Sequence, residues 1–528
     1  MGTPVAASRS PLPLTLPCSP SAMPAAGAVR SDYRDLAHWM GRVLEERAAL
    51  LASPKPDTVH DLRVAIRHCR SLASVMERFD PDPAWQEMRK APRKMFRTLG
   101  EWRENHVLRD WTKKLGSESD PLRERLLASL EEDEKLREAA ARRACERFDE
   151  KEWMLLERRL RRRVRIVPPG GLAAECLVLE LFEESKELHN LALRTEKAKP
   201  WHALRVGVKR FRYSVQSLLP EQYAAWSKNL KRLQDLLGDV HDLDVLAKTL
   251  EDWKQPADGE QSESVKNWQE RIAQERREHL ETYRRLTLGK TSLWSQWRHQ
   301  LPHGVRLEAA STARLRATVR AGDKHARRTA QVSRLALRIY ELLRRKHAAP
   351  LFEAGQVRRL LEAASLLHGI TPGSEGTLSP KELRKYILEM AVLPNWTREE
   401  WDLVAWIVRF HRGPEPKQKN GFARLAEADQ TTVRGLAGIL RLARVLRKCG
   451  VAKSTGLRLE VSEDAFVLGI PGLVDNKKNA ARLGAAKHLL ESVLPKPLLL
   501  KALPKPDRST RTKESAPETP LLFAVAAG

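Results

Sequence analysis

The chain has 528 residues, enough for two or three domains with cores of their own, and its 42% hydrophobic content is typical of a globular protein. Its 94 lysines and arginines against 68 aspartates and glutamates give a formal net charge of +26, which predicts a polyanionic partner: nucleic acid, inorganic polyphosphate or an anionic membrane surface. Five cysteines without CxxC spacing argue against a zinc module or a disulfide framework and favour a reducing cytoplasm. The apolar runs are too short for a bilayer, which takes about 20 residues.

The beginning of the chain is predicted to be a disordered leader followed by a helix. Residues 1–30 are rich in proline, alanine and serine, a composition that rarely forms a core. Over 33–51 the apolar residues follow a helical period. Two prolines end this helix, and Asp57 or Thr58 is predicted to cap the next one.

Two helices are predicted to carry the same cationic stripe. When successive residues are rotated by about 100°, four side chains of the first helix fall within an arc of roughly 80°: His60, Arg63, Arg67 and Arg70. The second helix has basic residues at the same four offsets: His202, Arg205, Lys209 and Arg212. Like charges this close repel one another, and these faces have no glutamate to offset them. We therefore expect the stripes to meet a negative ligand.

The stripes belong to a longer internal repeat. A helix predicted over about 84–115 follows the first stripe and contains Leu99-Gly100, and a helix with Leu237-Gly238 follows the second. The stripes lie 142 positions apart and the Leu-Gly pairs 138. A repeat of this length with two anchors in register predicts duplicated helical bundles. Their halves are about 31–167 and 172–300, and a polar loop is predicted over 254–263.

These motifs resemble the CHAD domain, the conserved-histidine α-helical domain, over roughly 32–300. The shared pattern is His-x-x-Arg-Val-x-x-x-(Arg/His)-x-Arg followed by Leu-Gly-x-x-x-Asp-x-Asp-Val-Leu, although Glu104 and His106 replace the two aspartates in the first half. The resemblance implies two four-helix bundles with pseudo-twofold symmetry and, between them, a basic cavity that binds inorganic polyphosphate. It also implies that Asp242 and Asp244 orient basic side chains. The residues assigned to the site are His60, Arg63, Arg67, Arg70, Lys90, Lys94, Arg97, Arg103, His202, Arg205, Lys209, Arg210, Arg212, Lys228, Lys231, Arg232 and His241.

The rest of the chain is predicted to form a second helical domain with a small α/β piece. The predicted order is a linker at 301–322, the helical domain at 323–450, the α/β subdomain at 451–503 and a disordered tail at 504–528. Capping boxes that begin at Ser379 and Thr397 start two of the helices. Apolar clusters on either side of Glu463-Asp464 predict a β-hairpin, and a helix is predicted over about 475–493.

The second domain resembles the C-terminal helical region of the exopolyphosphatase and guanosine-pentaphosphate phosphatase family, which has the HD-domain fold. The segments that carry the resemblance begin at His325, Leu361, Arg409 and Leu440. An HD site implies metal ligands from histidines and aspartates. Here Gly369 stands where the aspartate of the His-Asp pair belongs, and Arg444 stands at the last aspartate. We therefore expect neither metal nor hydrolysis from this domain.

For the other polar residues of this domain, the sequence supports less specific predictions. His325 and His368 are expected to pack on helix faces. Three residues could contact phosphate: Arg409, His411 and Arg412. The resemblance implies that the catalytic residues of the related phosphatases lie in an actin-like half with a glycine-rich phosphate loop. This sequence lacks such a loop.

The sequence predicts a mostly α protein that binds inorganic polyphosphate without catalysis, cofactor or metal. The expected location is the cytoplasm, with polyphosphate granules as a candidate partner and no membrane partner. A nucleic-acid-binding protein is the first alternative, for which Tyr213 beside the stripe could stack on a base, whereas Phe211 is expected in the core. A phosphohydrolase is the second, which Asp239, Asp242 and Asp244 suggest by their proximity.

Overall fold

In the computed structural model, the described residues are 35–195, 197–252, 259–323, 325–371, 378–416 and 420–504. The predicted leader lies outside these ranges, as does the predicted tail beyond residue 504. The described residues form eighteen α-helices and one three-stranded sheet. Among them, none of the helices combines the length and the apolar character needed to span a bilayer.

The first half of the repeat consists of six helices: α1 Leu36–Ala52, α2 Pro56–Met76, α3 Ala84–Lys90, α4 Arg93–Leu115, α5 Pro121–Glu146 and α6 Glu150–Val164. The predicted cap of α2 was wrong: Lys55 is the N-cap residue and Pro56 is the first helical residue. Proline suits that position because its N–H group would have no helical partner there. The prediction of a single helix over 84–115 was also wrong. The helix α3 ends before Pro92, because the ring of proline and its missing N–H interrupt a helix interior.

The second half consists of five helices: α7 Leu172–Leu193, α8 Ala198–Leu218, α9 Pro220–Asp252, α10 Gly259–Thr287 and α11 Leu293–Gln300. The helix that carries the stripe is α2 in the first half and α8 in the second. Of the polar loop predicted over 254–263, residues up to 258 lie outside the described part of the chain. Residues 259–263 belong to α10, so that part of the prediction was wrong, because glutamate and glutamine are compatible with an exposed helix.

The two halves share one hydrophobic core. Leu62 and Ile66 of α2 are fully buried in the same cluster as Leu204 and Val208 of α8. Phe211 is also fully buried there, which confirms its predicted place in the core. A smaller apolar cluster joins α4, α5, α9 and α10. The unstriped faces of α2 and α8 therefore position the cationic faces through a common core.

The next region has six helices: α12 Gly304–Gly322, α13 Ala326–Arg345, α14 Val357–Leu367, α15 Pro380–Glu389, α16 Arg398–Arg409 and α17 Glu427–Lys448. Most of the segment predicted as a linker is α12, which packs against α7. Both predicted capping boxes are confirmed, with Ser379 and Thr397 as the N-cap residues of α15 and α16.

Arginines tie α12 to the duplicated region. The buried Arg314 donates from Nη2 to the carbonyl oxygen of Arg78 at 2.9 Å. Arg163 donates from Nη2 to the carbonyl oxygen of Ala321 at 3.0 Å and from Nε to Asp80 Oδ2 at 2.7 Å. These contacts fix the start of the second helical region against the first.

The chain ends in a small mixed sheet with one helix: β1 Arg458–Val461, β2 Phe466–Pro471, α18 Lys477–Glu491 and β3 Leu498–Leu503. β1 and β2 pair antiparallel, as the predicted hairpin requires. β3 pairs parallel with β2 and was not predicted. The sequence of β3 is a short apolar run that follows Pro497. Such a run is typical of both a buried strand and a helix, so it does not by itself predict a strand.

Candidate functional site

The two cationic stripes face each other where α2 packs against α8. Arg67 of α2 donates from Nη1 to the hydroxyl of Tyr213 on α8 at 3.1 Å. Its guanidinium also lies 5.8 Å from the centre of the Tyr213 ring, within reach of a cation–π contact. Tyr213 itself is buried. The contact joins the two halves and places their stripes in one cluster.

Four cations form the centre of this cluster: Arg63, Arg67, Arg205 and Lys209. Burial, reinforced by Arg67 and Arg205, lowers the pKa of Arg63 to about 9. Burial, reinforced by Arg205 and Arg67, lowers the pKa of Lys209 to about 6. Desolvation and like-charge proximity both disfavour the charged forms. At neutral pH Lys209 is therefore mostly uncharged in the free protein, whereas the buried arginines stay charged at an electrostatic cost that a bound anion would relieve.

The carboxylates beside the cluster do not neutralise it. Burial raises the pKa of Asp242 to about 6, although Arg205 and Lys209 oppose that shift. The Nε atom of Arg205 is buried and has no hydrogen-bond partner among the described residues. Glu104, at the edge of the site, is exposed. Among the described residues, three carboxylates thus act on these four basic side chains: Glu104, Asp239 and Asp242, the last of which is protonated in part at neutral pH.

The histidines of the stripes border the same cluster. His202 Nδ1 lies 3.2 Å from His241 Nδ1. Burial, reinforced by Arg205, lowers the pKa of His241 to about 3. Burial and Arg103 lower the pKa of His60. These side chains are therefore neutral hydrogen-bonding groups in the free protein, and His60 and Arg103 lie beside the cluster.

Arg63 rests on an aromatic ring that the sequence analysis did not single out. Its Nη1 donates to the carbonyl oxygen of Phe96 at 3.1 Å, and its guanidinium lies 4.9 Å from the centre of that ring. Arg70 lies 4.8 Å from the same ring. Burial, together with Arg89 and Arg93, lowers the pKa of Arg70. Arg70 thus belongs to a neighbouring basic patch with two arginines that were not predicted.

Several predicted site residues lie away from the central cluster. Three have carboxylate partners: Arg97 with Glu101 at 3.8 Å, Arg210 with Glu184 at 3.5 Å and Lys231 with Asp235 at 2.6 Å. Four are exposed on their helices: Lys90, Lys94, Lys228 and Arg232. Arg212 lies 5.6 Å from the centre of the Tyr213 ring, on the wall of the cluster. These residues extend the basic surface but do not share the buried centre.

The acidic motif of α9 holds cations of α10. Asp244 accepts from Arg276 Nε at 2.7 Å, and Asp239 lies 3.2 Å from His279 Nε2. In the first half, the buried His106 instead contacts Glu134 at 2.9 Å. The two halves therefore anchor this part of their helices by different polar pairs.

His68 packs against Tyr213, one of the residues that border the cluster. Its ring stacks on Trp39 with 3.5 Å between centroids, and it meets Tyr213 edge-on at 4.5 Å. The motif matches His68 to a basic position, but the side chain is only 3% exposed. These two partners come from α1 and α8, a combination that no local pattern specifies.

The second helical region has a basic cavity that brings together the residues compared above with an HD metal site. His368, Gly369 and Arg444 line it, together with His411 and Arg412. No group of three or more metal-ligating side chains occurs in the part of the chain that the structure describes. Arginines repel a cation, so these residues do not fit a metal ion. His325 is exposed at the N-cap of α13, so its predicted packing was wrong.

The duplicated helices with facing basic stripes and the following helical region define a mostly helical protein with an internal repeat. Residues 34–251 match the CHAD domain, and residues 309–475 match domain III of the Ppx/GppA phosphatases. The chain therefore contains a CHAD domain followed by a Ppx/GppA phosphatase domain III.

One solved structure similar to the chain is the crystal structure of the CHAD domain from the plant Ricinus communis. The two are 20% identical, with 50% of this chain and 96% of the plant chain covered and a TM-score of 0.38. A search of curated proteins found no match.

Proposed function

We propose that the protein binds inorganic polyphosphate in the cluster between α2 and α8 and does not cleave it. The observation that supports this is the burial of Arg63, Arg205 and Lys209 beside one another, where desolvation and the neighbouring basic groups lower the pKa of all three. Guanidinium groups bind phosphate oxygens as forks, and lysine adds a point charge. The proposal includes the cytoplasm as the location and polyphosphate granules as a partner.

The aromatic residues favour a phosphate polymer over a nucleic acid. Single-stranded nucleic acids bind through exposed rings on which bases stack. Tyr213 is 4% exposed and accepts a hydrogen bond from Arg67, and Phe211 is fully buried. Neither ring is free to stack. A polymer that consists only of phosphate needs no such platform.

The acidic residues favour binding without hydrolysis. Metal-assisted phosphoryl transfer needs carboxylates that converge on a cation. Asp239 and Asp244 contact His279 and Arg276, and Asp242 lies beside Arg205 and Lys209. These contacts support our proposal that the motif positions cations. We expect no phosphate release from polyphosphate, with or without magnesium or manganese.

Binding of labelled long-chain polyphosphate should weaken steeply with salt. Four neutralised phosphates give a log–log slope of about −3 for a single-stranded polyanion, or roughly an eightfold loss of affinity for each doubling of salt. The measurement is a fluorescence titration at several salt concentrations, with single-stranded DNA of equal charge as competitor. Affinity that does not change with salt, or DNA that competes equally well, would contradict the proposal.

Two glycines at equivalent positions provide a matched pair of variants. A methyl group on Gly100 would lie 2.8 Å from Arg63 Nη1, whereas one on Gly238 would meet nothing within 4 Å. We expect Gly100→Ala to move the Arg63 guanidinium and to lower polyphosphate affinity about tenfold.

Gly238→Ala is the control for this variant. It should leave the affinity unchanged and raise the free energy of unfolding by up to about 1 kcal/mol, because alanine is the better helix former. Polyphosphate titrations and denaturant unfolding of both variants measure the two effects. Equal affinities for the two variants would mean that Arg63 does not contact the polymer.

A further inference from the structure

A second basic cavity lies in the Ppx/GppA domain III region, apart from the CHAD cluster. Its volume is about 520 Å³, and residues of α13, α15 and α17 line it together with the segments that follow α14 and α16. Five cationic side chains face it: Arg328, Arg412, Arg444, Arg447 and Lys448. Among the described residues of the lining, Asp323 is the single carboxylate. The balance of charge around this cavity is therefore strongly positive.

Asp323 does not neutralise these cations, because both of its oxygens are used at the start of α13. Oδ1 accepts from the backbone N–H of His325 at 2.7 Å. Oδ2 accepts from the hydroxyl of Thr329 at 2.5 Å. The carboxylate thus fixes the beginning of a helix, and the described part of the lining offers the arginines no other acidic group.

Within the described part of the chain, the hydrogen bonds of two of the arginines go to backbone carbonyls. Arg412 donates from Nη2 to Leu378 O at 2.6 Å, and Arg444 donates from Nη1 to His411 O at 3.3 Å. The Nε atom of Arg412 is buried and has no hydrogen-bond partner among the described residues. Burial, reinforced by Arg412, lowers the pKa of Arg444 to about 10. Buried cations without counter-ions are costly, and an anion between them would remove that cost.

The rest of the lining supplies acceptors and apolar surface. His368 Nδ1 donates to Ser365 O at 2.7 Å, and His411 Nδ1 donates to Val408 O at 2.5 Å. Each imidazole therefore keeps Nε2 as an acceptor. Val332, Ile370 and Leu383 contribute apolar walls. A ligand matched to this cavity has anionic oxygens, a hydrogen-bond donor and an apolar part.

We propose that this cavity binds a small phosphorylated molecule whose phosphate group lies between Arg412 and Arg444. Arg444 stands where the resemblance implies a metal-binding aspartate, and the missing carboxylate at Gly369 removes a second acidic group. The chemistry of the site is thus reversed, from holding a cation to holding an anion. The volume falls within the range of pockets for small ligands, about 300 to 1,000 Å³.

The test is calorimetry of the full chain with ADP and with inorganic diphosphate as probes. Arg205→Gln and Lys209→Gln are introduced first, so that the CHAD cluster contributes little to the heat. We expect one binding site per chain in this background. Adding Arg412→Gln with Arg444→Gln should lower the association constant about hundredfold, because each lost charged contact contributes about 1.5 kcal/mol. Arg434→Gln, on the same helix α17 but outside the cavity, is the control and should have no effect.

A substitution at the edge of the cavity tests the proposal if the double variant fails to fold. Arg328 is exposed on α13, so Arg328→Glu keeps the core intact and should lower the association constant about tenfold. Binding of ADP alone would assign the ligand to organic phosphates, and equal binding of diphosphate would show that the phosphate group suffices. Absence of binding by both probes, or binding that none of these cavity substitutions changes, would overturn the proposal. Neither result would affect the proposal for the CHAD cluster.

Discussion

Replacing Arg205 and Lys209 together with glutamine should lower the affinity of the full chain for long-chain polyphosphate about hundredfold, since each charged contact contributes roughly 1.5 kcal/mol. Both residues lie on α8 at the centre of the cluster, and Arg205 Nε has no hydrogen-bond partner among the described residues. Few internal contacts are therefore lost with them. The measurement is a titration at fixed salt, together with a circular dichroism spectrum to verify the helical content.

The matched control removes the same charge from another surface. Arg158 and Arg162 are exposed on α6, so Arg158→Gln with Arg162→Gln changes the net charge equally. We expect that pair to reduce the affinity no more than about twofold, because exposed charges are screened by salt. If both double variants lose affinity to the same extent, binding belongs to a diffuse basic surface and the cluster is not a site.

Polyphosphate binding should weaken as the pH rises, because Lys209 takes up a proton on binding. Burial and the neighbouring arginines lower the pKa of Lys209 to about 6 in the free protein. A polyanion favours the charged amine, so the pKa of Lys209 rises in the complex. Proton linkage then makes the affinity constant below about pH 6 and reduces it by up to about tenfold for each pH unit above. Titrations between about pH 6 and pH 8 measure this slope.

Lys209→Arg is the control for this pH dependence. An arginine keeps its charge throughout the range, so the variant should bind with a flatter pH profile than the wild type. His202 and His241 remain in both proteins and contribute equally to the two profiles. Identical slopes for the wild type and Lys209→Arg would show that Lys209 does not titrate on binding.

The convergence of the two stripes could be predicted from the sequence, but the membership of the cluster could not. The helical period and the internal repeat bring Arg63, Arg67, Arg205 and Lys209 together, because both apolar faces must enter one core. Arg210 follows Lys209 directly yet pairs with Glu184 of α7. Which basic residues receive a carboxylate partner depends on distant helices, and the sequence pattern of one helix does not contain that information.

Local signals predicted the elements well where proline and capping residues act within a few positions. The capping boxes at Ser379 and Thr397 and the hairpin of β1 and β2 follow from nearest neighbours. The break at Pro92 follows from a similar rule that the prediction did not apply. The pairing of β3 with β2 is different, because a parallel partner is chosen across α18 by the packing of the sheet.

One wall of the CHAD cluster comes from α2 and the other from α8, so each repeat supplies half of the site. The basic residues occupy the same motif positions on the two walls, although the polar pairs that anchor the neighbouring helices differ. Polyphosphate has equivalent ends and identical units, unlike a nucleic acid with its 5′ and 3′ termini. Under the proposed function, a site with one basic wall from each repeat suits a polymer whose two ends are equivalent.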